Sequence, residues 1–175
     1  METNKQKTEN IMRSIYIEKV VLRIGTGNDP QKIEKAVLLL KRLTNKKPTK
    51  TIAKKRIAGW NIRPGVPIGA MVTIRGKDSE EILKRLLEAK DNKIKGDSFD
   101  QFGNFSFGIE EYIEIPGIKY DPKIGILGMD VCVTLARPGY RVKHKKNKKK
   151  IGKKHIITKQ EAMDFMIKKF NIEII

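Results

Sequence analysis

Apolar residues in the first third of the chain change from strand spacing to helix spacing. Residues 15–24 are rich in β-branched side chains, which predicts a strand buried largely on one face. A short Gly-Thr-Gly turn follows, and Asp29 with Pro30 is typical of an N-cap and a first helical position. Because apolar residues then recur at helical spacing, a helix is predicted over residues 30–43.

The same rules predict four further elements in the middle of the chain. A short strand is expected near residues 50–53, and longer strands are expected in residues 67–75 and 129–135. A helix should begin near Asp78, since Glu81 three residues later resembles the second half of a capping box.

A last helix is predicted near the C-terminus. Thr158 and Glu161 form a Thr-x-x-Glu capping box, and an amphipathic pattern follows. The order strand, helix, strand, strand, helix, strands, helix predicts the α+β class. The expected architecture is an antiparallel β-sheet with helices packed on one face, plus a long basic loop and a basic tail.

The length of 175 residues favours a single domain over residues 1–175. One cysteine, Cys132, excludes an internal disulfide framework. The longest apolar run, residues 36–40, is far shorter than the ~20 residues that cross a bilayer. Residues 1–10 are polar and lack the apolar segment of a secretory signal, so the protein is expected to stay in the cytoplasm, where it is made.

Positive charge is concentrated in two segments. The chain has 38 Lys and Arg against 20 Asp and Glu, a net charge of +18. Residues 35–77 hold twelve basic and no acidic residues, and residues 131–160 hold eleven and none, whereas the rest of the chain has a net charge of −5. Two such segments favour nucleic acid as the partner. A membrane surface is the rival, but prolines and glycines interrupt both segments where an amphipathic helix would be needed.

The long loop predicted over residues 53–67 combines four basic residues with the only tryptophan, Trp60. Guanidinium groups bind phosphate or stack on bases, and an indole offers a stacking face, so this composition suits RNA. An equally open interpretation is that Trp60 anchors the loop in the core. The phenylalanines of residues 99–107 could form a base-stacking platform, but core packing is the favoured interpretation because no basic residue lies between residues 96 and 118.

No set of residues requires an enzyme. One cysteine and two histidines, His144 and His155, cannot form a zinc site. Glu110 and Glu114, on an expected strand, would share a face and form only a weak candidate for a divalent metal. Cys132 is expected to be an ordinary apolar strand residue, so no cofactor, metal or catalytic residue is predicted.

Several longer motifs occur in a fixed order along the chain. In the first half they are Glu18-Lys19-Val20-Val21-Leu22, Gly25-x-Gly27, Lys47-Pro48, Ile62-Arg63-x-Gly65-x-Pro67-Ile68-Gly69 and Val72-Thr73-x-Arg75-Gly76. In the second half they are Ser98-Phe99-Asp100-x-x-Gly103-Asn104-Phe105-Ser106-Phe107-Gly108, Ile115-Pro116-Gly117-Ile118-x-Tyr120-Asp121-Pro122 and Gly128-Met129-Asp130-Val131-Cys132-Val133-Thr134-Leu135-x-Arg137-Pro138-Gly139. Together they resemble large-subunit ribosomal protein number five, the family that binds 5S ribosomal RNA, in its archaeal form.

The resemblance implies a structural constituent of the large subunit's central protuberance that binds 5S rRNA through its sheet and the turns at the sheet edge. The positions that match the family's 5S rRNA contacts are Arg23, Lys46, Trp60 and Thr73. Trp60 and Thr73 keep the aromatic ring and the hydroxyl of the family, whereas Arg23 and Lys46 replace polar amides and favour phosphate contact.

The resemblance also implies partners for three other segments. Residues 54–67 resemble the loop that reaches toward P-site tRNA, which makes Lys54, Lys55, Arg56 and Arg63 candidates for tRNA contact. Residues 91–107 resemble the part that faces a small-subunit head protein across an intersubunit bridge, and neighbouring large-subunit proteins are further expected partners. The basic tail is expected to neutralise large-subunit rRNA through Arg141, Lys143, Lys145, Lys146, Lys148, Lys149, Lys150, Lys153 and Lys154.

Two other function classes stay open at this point. A generic RNA-binding or RNA-chaperone protein would bind unrelated RNAs equally well, whereas the ribosomal interpretation predicts a preference for 5S rRNA. An RNA-processing enzyme is disfavoured because the chain lacks a catalytic set.

Overall fold

A five-stranded antiparallel sheet organises the protein. The structure is a computed structural model that describes residues 10–175. The prediction that no secretory signal is present concerns residues 1–10, and residues 1–9 lie outside the described residues. The strands are β1 (Tyr16–Gly25), β2 (Thr49–Ile52), β3 (Pro67–Ile74), β4 (Lys93–Ile94), β5 (Phe105–Ile109), β6 (Met129–Ala136) and β7 (Glu173–Ile174).

The sheet has the strand order β2-β3-β1-β6-β5, so the longest strand, β1, lies at its centre. Val21 pairs with Thr73 of β3 and with Cys132 of β6, which fixes the register on both sides. Alternate residues of β1, such as Leu22 and Ile24, are buried, whereas Arg23, which lies between these two, is exposed. The period of two therefore divides the sheet into a covered face and an exposed face.

Three α-helices pack against the sheet, which confirms the predicted α+β class. They are α1 (Pro30–Thr44), α2 (Lys77–Glu88) and α3 (Lys159–Phe170). The Asp29 side chain caps α1 by accepting hydrogen bonds from the amides of Gln31 and Lys32, at 3.0 and 3.3 Å.

The other two helix starts had different outcomes. The capping box of α3 forms as predicted, with Thr158 and Glu161 each accepting from the other's backbone amide. The capping box proposed for α2 is wrong, because the N-cap is Gly76 and no side chain caps the helix. Asp78 lies instead inside the first turn, where its charge is favourable at the positive end of the helix dipole.

One cluster of buried apolar residues lies between the covered face and the helices. Its fully buried members include Leu22, Ile24 and Ile74 of the sheet with Leu39, Leu40, Leu83 and Leu86 of the helices. Phe99 and Phe105 stack in this core with ring centroids 4.9 Å apart, as the core interpretation of the phenylalanines predicted, although Phe102 is 56% exposed.

Two local features differ from the sequence-based expectations. Residues 110–114 do not form a strand: Tyr112–Glu114 is a 3₁₀ turn that buries Tyr112 and leaves Glu110 and Glu114 exposed. The short strands β4 and β7 pair in parallel, which joins the chain's C-terminus to the segment after α2. Strands of two residues carry too little pattern to be predicted.

Candidate nucleic-acid interface

The exposed face of the sheet is lined by small and polar side chains. Across the middle of this face, Arg23 of β1 lies between Met71 of β3 and Asp130 of β6, and the next row contains Thr73 and Cys132. Apart from the half-buried Met71, all of these are exposed. An exposed sheet surface with polar side chains can receive an RNA backbone or an unstacked base.

Trp60 lies beside this face rather than in the core. Its side chain is 71% exposed, which excludes the interpretation of Trp60 as a core anchor. Trp60 and Arg23 line one cleft of about 270 Å³, together with Thr51 and Gly69. The fold thus brings together two predicted RNA-binding residues that are 37 positions apart in the sequence.

The other two predicted 5S rRNA contacts, Thr73 and Lys46, do not line this cleft. Thr73 is exposed on β3, and Lys46 lies in the turn between α1 and β2. The Nζ of Lys46 is 2.7 Å from Oδ2 of Asp78, and this ion pair lowers the pKa of the Asp78 carboxyl. The charge of Lys46 is therefore partly neutralised within the protein, unlike that of Arg23.

We call residues 53–67 the tryptophan loop, and buried anchors and backbone hydrogen bonds hold it in shape. Ala53 and Ile62 are buried, and the Ala53 amide donates to the carbonyl of Val66 at 2.9 Å. Ile57 and Ile62 exchange hydrogen bonds of 3.0 and 3.1 Å across a turn that includes Trp60. The frame orders the loop without using its charged side chains.

The four basic side chains of the tryptophan loop are exposed. They are Lys54, Lys55, Arg56 and Arg63. Among residues 10–175, no carboxylate oxygen lies within 4.0 Å of any of these four side chains. Arg56 and Arg63 line the same groove of about 510 Å³, beside Asn28 and Asn61. Two guanidinium groups on one groove suit phosphate oxygens, which arginine binds in a bidentate manner.

We call residues 141–154 the lysine loop; it is the predicted basic tail, and in the fold it is an internal connection between β6 and α3. It contains two short 3₁₀ turns, and its nine basic side chains are exposed. Within the described residues no carboxylate lies within 4.0 Å of any of the nine. Nine unpaired cations in fourteen residues repel one another unless a polyanion neutralises them.

A polar clasp closes the base of the lysine loop. Arg137 is 2% exposed and donates to Oε1 of Glu161 at 2.8 Å. Tyr140 donates to the carbonyl of His155 at 3.1 Å and accepts from the amide of Ile157 at 2.9 Å. The two ends of the loop are thereby held together.

The clasp also perturbs the ionisation of its members. Burial raises the pKa of Glu161, but the Thr158 amide and Arg137 outweigh it, so the pKa lies below its ordinary value. Burial raises the pKa of Tyr140, which keeps its hydroxyl protonated as a donor. The capping pattern identified Glu161 in the sequence, but its second partner, Arg137, is 24 residues away and no local pattern links them.

Sequence reasoning missed several other residues at this surface. Thr51 and Asp130 lie at positions where strand alternation alone would have placed them on the polar face. Lys90, Lys93 and Lys95 line a groove of about 740 Å³ that also reaches Arg23. Acidic residues lie close to these lysines in the sequence, so a search for acid-free segments does not find them. Only the fold places them on one groove.

The structure offers no sign of a catalytic cysteine or a metal cluster in the part of the chain that it describes. Burial, with Asp130 nearby, raises the pKa of the Cys132 thiol, whereas a nucleophile needs a lowered one. No three His, Cys, Asp or Glu side chains among residues 10–175 gather as metal ligands. Nor does any described helix have the length and apolar character to span a membrane.

Comparisons with known proteins give one consistent result. A family model described as "Ribosomal protein L5" matches residues 10–63, and a second model, which describes the C-terminus of the same ribosomal protein family, matches residues 67–172. The chain is 51% identical to "Large ribosomal subunit protein uL5" of Nitrosopumilus maritimus over 97% of its length and 98% of the relative. It is 52% identical to the protein of the same name from Cenarchaeum symbiosum, over 94% and 98% of the two chains. It is 51% identical to the protein of the same name from Nanoarchaeum equitans, over 95% of this chain and 99% of the relative.

Proposed function

Because the chain belongs to the L5 family of large-subunit ribosomal proteins, in its archaeal form, we propose that it binds 5S rRNA and large-subunit rRNA in the central protuberance. We further propose that it contacts P-site tRNA and helps form an intersubunit bridge during translation. At the coarser level the family membership is sufficient: the protein is a structural, non-enzymatic constituent of the large ribosomal subunit.

The exposed sheet face supports binding of 5S rRNA. Arg23 and Trp60 share one cleft, and Thr73 adds a hydroxyl on the same side of the sheet. Stacking on the indole and charge-assisted hydrogen bonds from Arg23 would act on the same nucleotides. Lys46, already paired with Asp78, would contribute less, because RNA must compete with that carboxylate.

The tryptophan loop supports the contact with tRNA. Its basic side chains Lys54, Lys55, Arg56 and Arg63 are exposed on a frame that is fixed by backbone hydrogen bonds. A fixed frame lowers the entropy lost when the loop meets a transient partner. Contacts of this kind go to phosphates and read no sequence, which suits a surface that must accept every tRNA.

The lysine loop supports binding to large-subunit rRNA. Its nine cations have no protein carboxylate to neutralise them within residues 10–175, so RNA phosphates would provide the missing negative charge. Each phosphate contact would release a counterion and make binding depend on salt.

Residues 91–107 are the segment that we assign to the intersubunit bridge. Phe102 there is 56% exposed, although the neighbouring Phe99 and Phe105 are buried. An exposed aromatic side chain is a common element of protein interfaces, so Phe102 is our candidate for contact with a small-subunit head protein. Neighbouring large-subunit proteins would contact the remaining surface.

We also treat residues 1–175 as one domain. The core cluster contains buried side chains from both of the segments that the two family models match. A shared core would make the halves fold together.

The observation that carries the proposal is the shared cleft of Arg23 and Trp60, and RNA competition tests it. Purified protein is titrated with 5S rRNA and with an unrelated structured RNA of the same length, at moderate salt. We expect tighter binding of 5S rRNA by at least about tenfold, since specific contacts add to the charge attraction that all RNAs share. Equal affinities would favour the alternative, a generic RNA-binding or RNA-chaperone protein.

A further inference from the structure

Four phenylalanines lie within residues 99–107, and the structure treats one of them differently. Phe99 and Phe105 are buried in the core and Phe107 is half-buried, whereas Phe102 is 56% exposed. Burial is the favourable state of so large an apolar side chain. The local structure that keeps Phe102 outside the core therefore needs an explanation.

Asp100 organises the turn that carries Phe102. Its Oδ1 accepts hydrogen bonds from the backbone amides of Phe102 at 2.8 Å and Asn104 at 2.7 Å, and its Oδ2 accepts from the side-chain amide of Asn104 at 2.8 Å. The Asp100 amide donates to the carbonyl of Asn104 at 2.8 Å, which closes the turn. One carboxylate thus fixes the backbone at the ring and beyond it.

The turn is also fixed against the core. Gly103 has a φ of +78°, and a Cβ atom there would lie 2.6 Å from the Ile157 side chain and 3.2 Å from that of Ala162. Both of these neighbours are completely buried, so the turn packs tightly on residues with no room to move. The backbone that carries Phe102 is therefore held on two sides, by Asp100 and by the core.

The segment that contains the turn is acidic. Residues 96–118 have no lysine or arginine but five acidic residues, which are Asp97, Asp100, Glu110, Glu111 and Glu114. Among residues 10–175 these five form one ion pair, in which Asp97 lies 4.0 Å from Lys159. Such a segment repels RNA phosphates and attracts a basic protein surface.

We propose that Asp100 is a positioning residue that holds Phe102 outward as a preformed contact for a protein partner, whose surface offers an apolar pocket with basic side chains at its rim. A ring fixed before binding loses little conformational entropy on association, and aromatic anchors carry much of the binding free energy of protein interfaces. The inference rests on the proposed function, because the partner is the small-subunit head protein assigned to the bridge segment.

Subunit association tests the role of Asp100. Large subunits that carry each variant are mixed with wild-type small subunits at limiting magnesium, and light scattering gives the association constant. We expect Phe102→Ala and Asp100→Ala each to weaken association at least about fivefold. Leu38→Ala and Asp164→Ala are the matched controls without effect, because both side chains are exposed on helices outside the bridge segment.

Two further variants separate positioning from a purely structural role. Asp100→Asn keeps an oxygen that accepts from the two backbone amides, so it should retain most of the wild-type association. In a Phe102→Ala background, Asp100→Ala should cause no further loss, since it acts through the ring. A purely structural role would cause the same loss in either background. Thermal unfolding and 5S rRNA affinity of each free variant check that it folds.

Photo-cross-linking identifies the class of partner. With p-benzoyl-phenylalanine in place of Phe102 in purified ribosomes, we expect a cross-link to a small-subunit protein. Three results would overturn the inference: unchanged association of either alanine variant, equal losses from Asp100→Ala in both backgrounds, and a cross-link to rRNA or to a large-subunit protein. If the wild-type protein still preferred 5S rRNA, only this inference would fail. Absence of that preference would contradict the proposed function instead.

Discussion

The tryptophan loop and the lysine loop are both basic, but they are constructed in different ways. The tryptophan loop has four cations and is fixed along its length by buried Ala53 and Ile62 and by backbone hydrogen bonds. The lysine loop has nine cations; Arg137, Tyr140 and their partners close its base, and within it the Lys149 amide donates to the carbonyl of Val142 at 3.3 Å. The tryptophan loop combines many backbone hydrogen bonds with modest charge, and the lysine loop combines high charge with fewer backbone hydrogen bonds.

On the proposed function, the two loops would make different kinds of RNA contact. A recognition contact needs donors and rings at defined positions, so the tryptophan loop lies on a rigid frame beside the sheet cleft. Neutralisation of phosphates depends mainly on the number of cations, so a loop with that role would need fewer fixed contacts of its own. Charge alone therefore does not identify the specific surface of this protein.

Arg137→Met should have the largest effect, because it opens the clasp of the lysine loop. The change removes the charge-assisted hydrogen bond to Glu161 and should lower the free energy of unfolding by about 2 to 3 kcal/mol. Urea unfolding at neutral pH measures it. The matched control is Arg42→Met, since Arg42 pairs with Asp121 at the surface and its loss should cost less than about 1 kcal/mol.

The pH dependence of the same variant has a defined sign. The pKa of Glu161 is lowered in the folded protein, so its contribution to stability is present above its ordinary value of 4.5 and is lost as the pH falls through the folded value. The gap in stability between wild type and Arg137→Met should therefore narrow in acid. A gap that stays constant down to about pH 3 would show that the clasp does not depend on the Glu161 charge.

Trp60→Ala should weaken binding of 5S rRNA by about 1 to 3 kcal/mol if the indole stacks on a base. Because Trp60 is exposed, the stability of the free protein should change little. Filter binding or fluorescence anisotropy gives the affinity, and Phe102→Ala is a control for loss of an exposed ring elsewhere. If folded Trp60→Ala bound 5S rRNA with unchanged affinity, the tryptophan loop would not be a recognition contact, and the proposed difference between the two loops would be wrong.

Neutralising lysines 148–150 should have the smallest effect on specificity. Replacement of all three by alanine should flatten the salt dependence of large-subunit rRNA binding by about 0.7 to 0.9 log units per lost phosphate contact. The preference among RNA sequences should not change. A control triple substitution at Lys32, Lys84 and Lys168, which lie on helices, should leave the slope intact. An unaltered slope in the loop variant would mean that its cations stay solvated.

The fold was predictable where the pattern was long and its caps were local. The strand at residues 15–24 and the helix after Asp29 follow from periodicity and a side-chain cap, and both form. The start of α2 was predicted correctly but its cap was not, because Asp78 has the spacing of a cap yet lies in the first turn and forms an ion pair with Lys46. The strand expected around Glu110 and Glu114 failed because Tyr112 between them turns into the core.

The candidate site was predictable in its parts but not in its arrangement. The motifs and the charge pattern named Arg23 and Trp60, and strand alternation exposes Arg23. Nothing local indicated that they share a cleft, or that Lys90 and Lys93 line a second groove with Arg23. The roles of these residues in RNA binding, like the single domain, stay predictions.

The sequence by itself determined the family, the α+β class and the two cationic segments, because composition, periodicity and motif order are properties of the chain in one dimension. Only the tertiary structure decided that Trp60 is exposed, that Arg137 and Glu161 close the base of the basic segment before α3, and that glycines from two strands line a cleft. Each of these results depends on contacts between residues far apart in sequence. Such contacts are fixed by strand register and core packing, which no local pattern encodes.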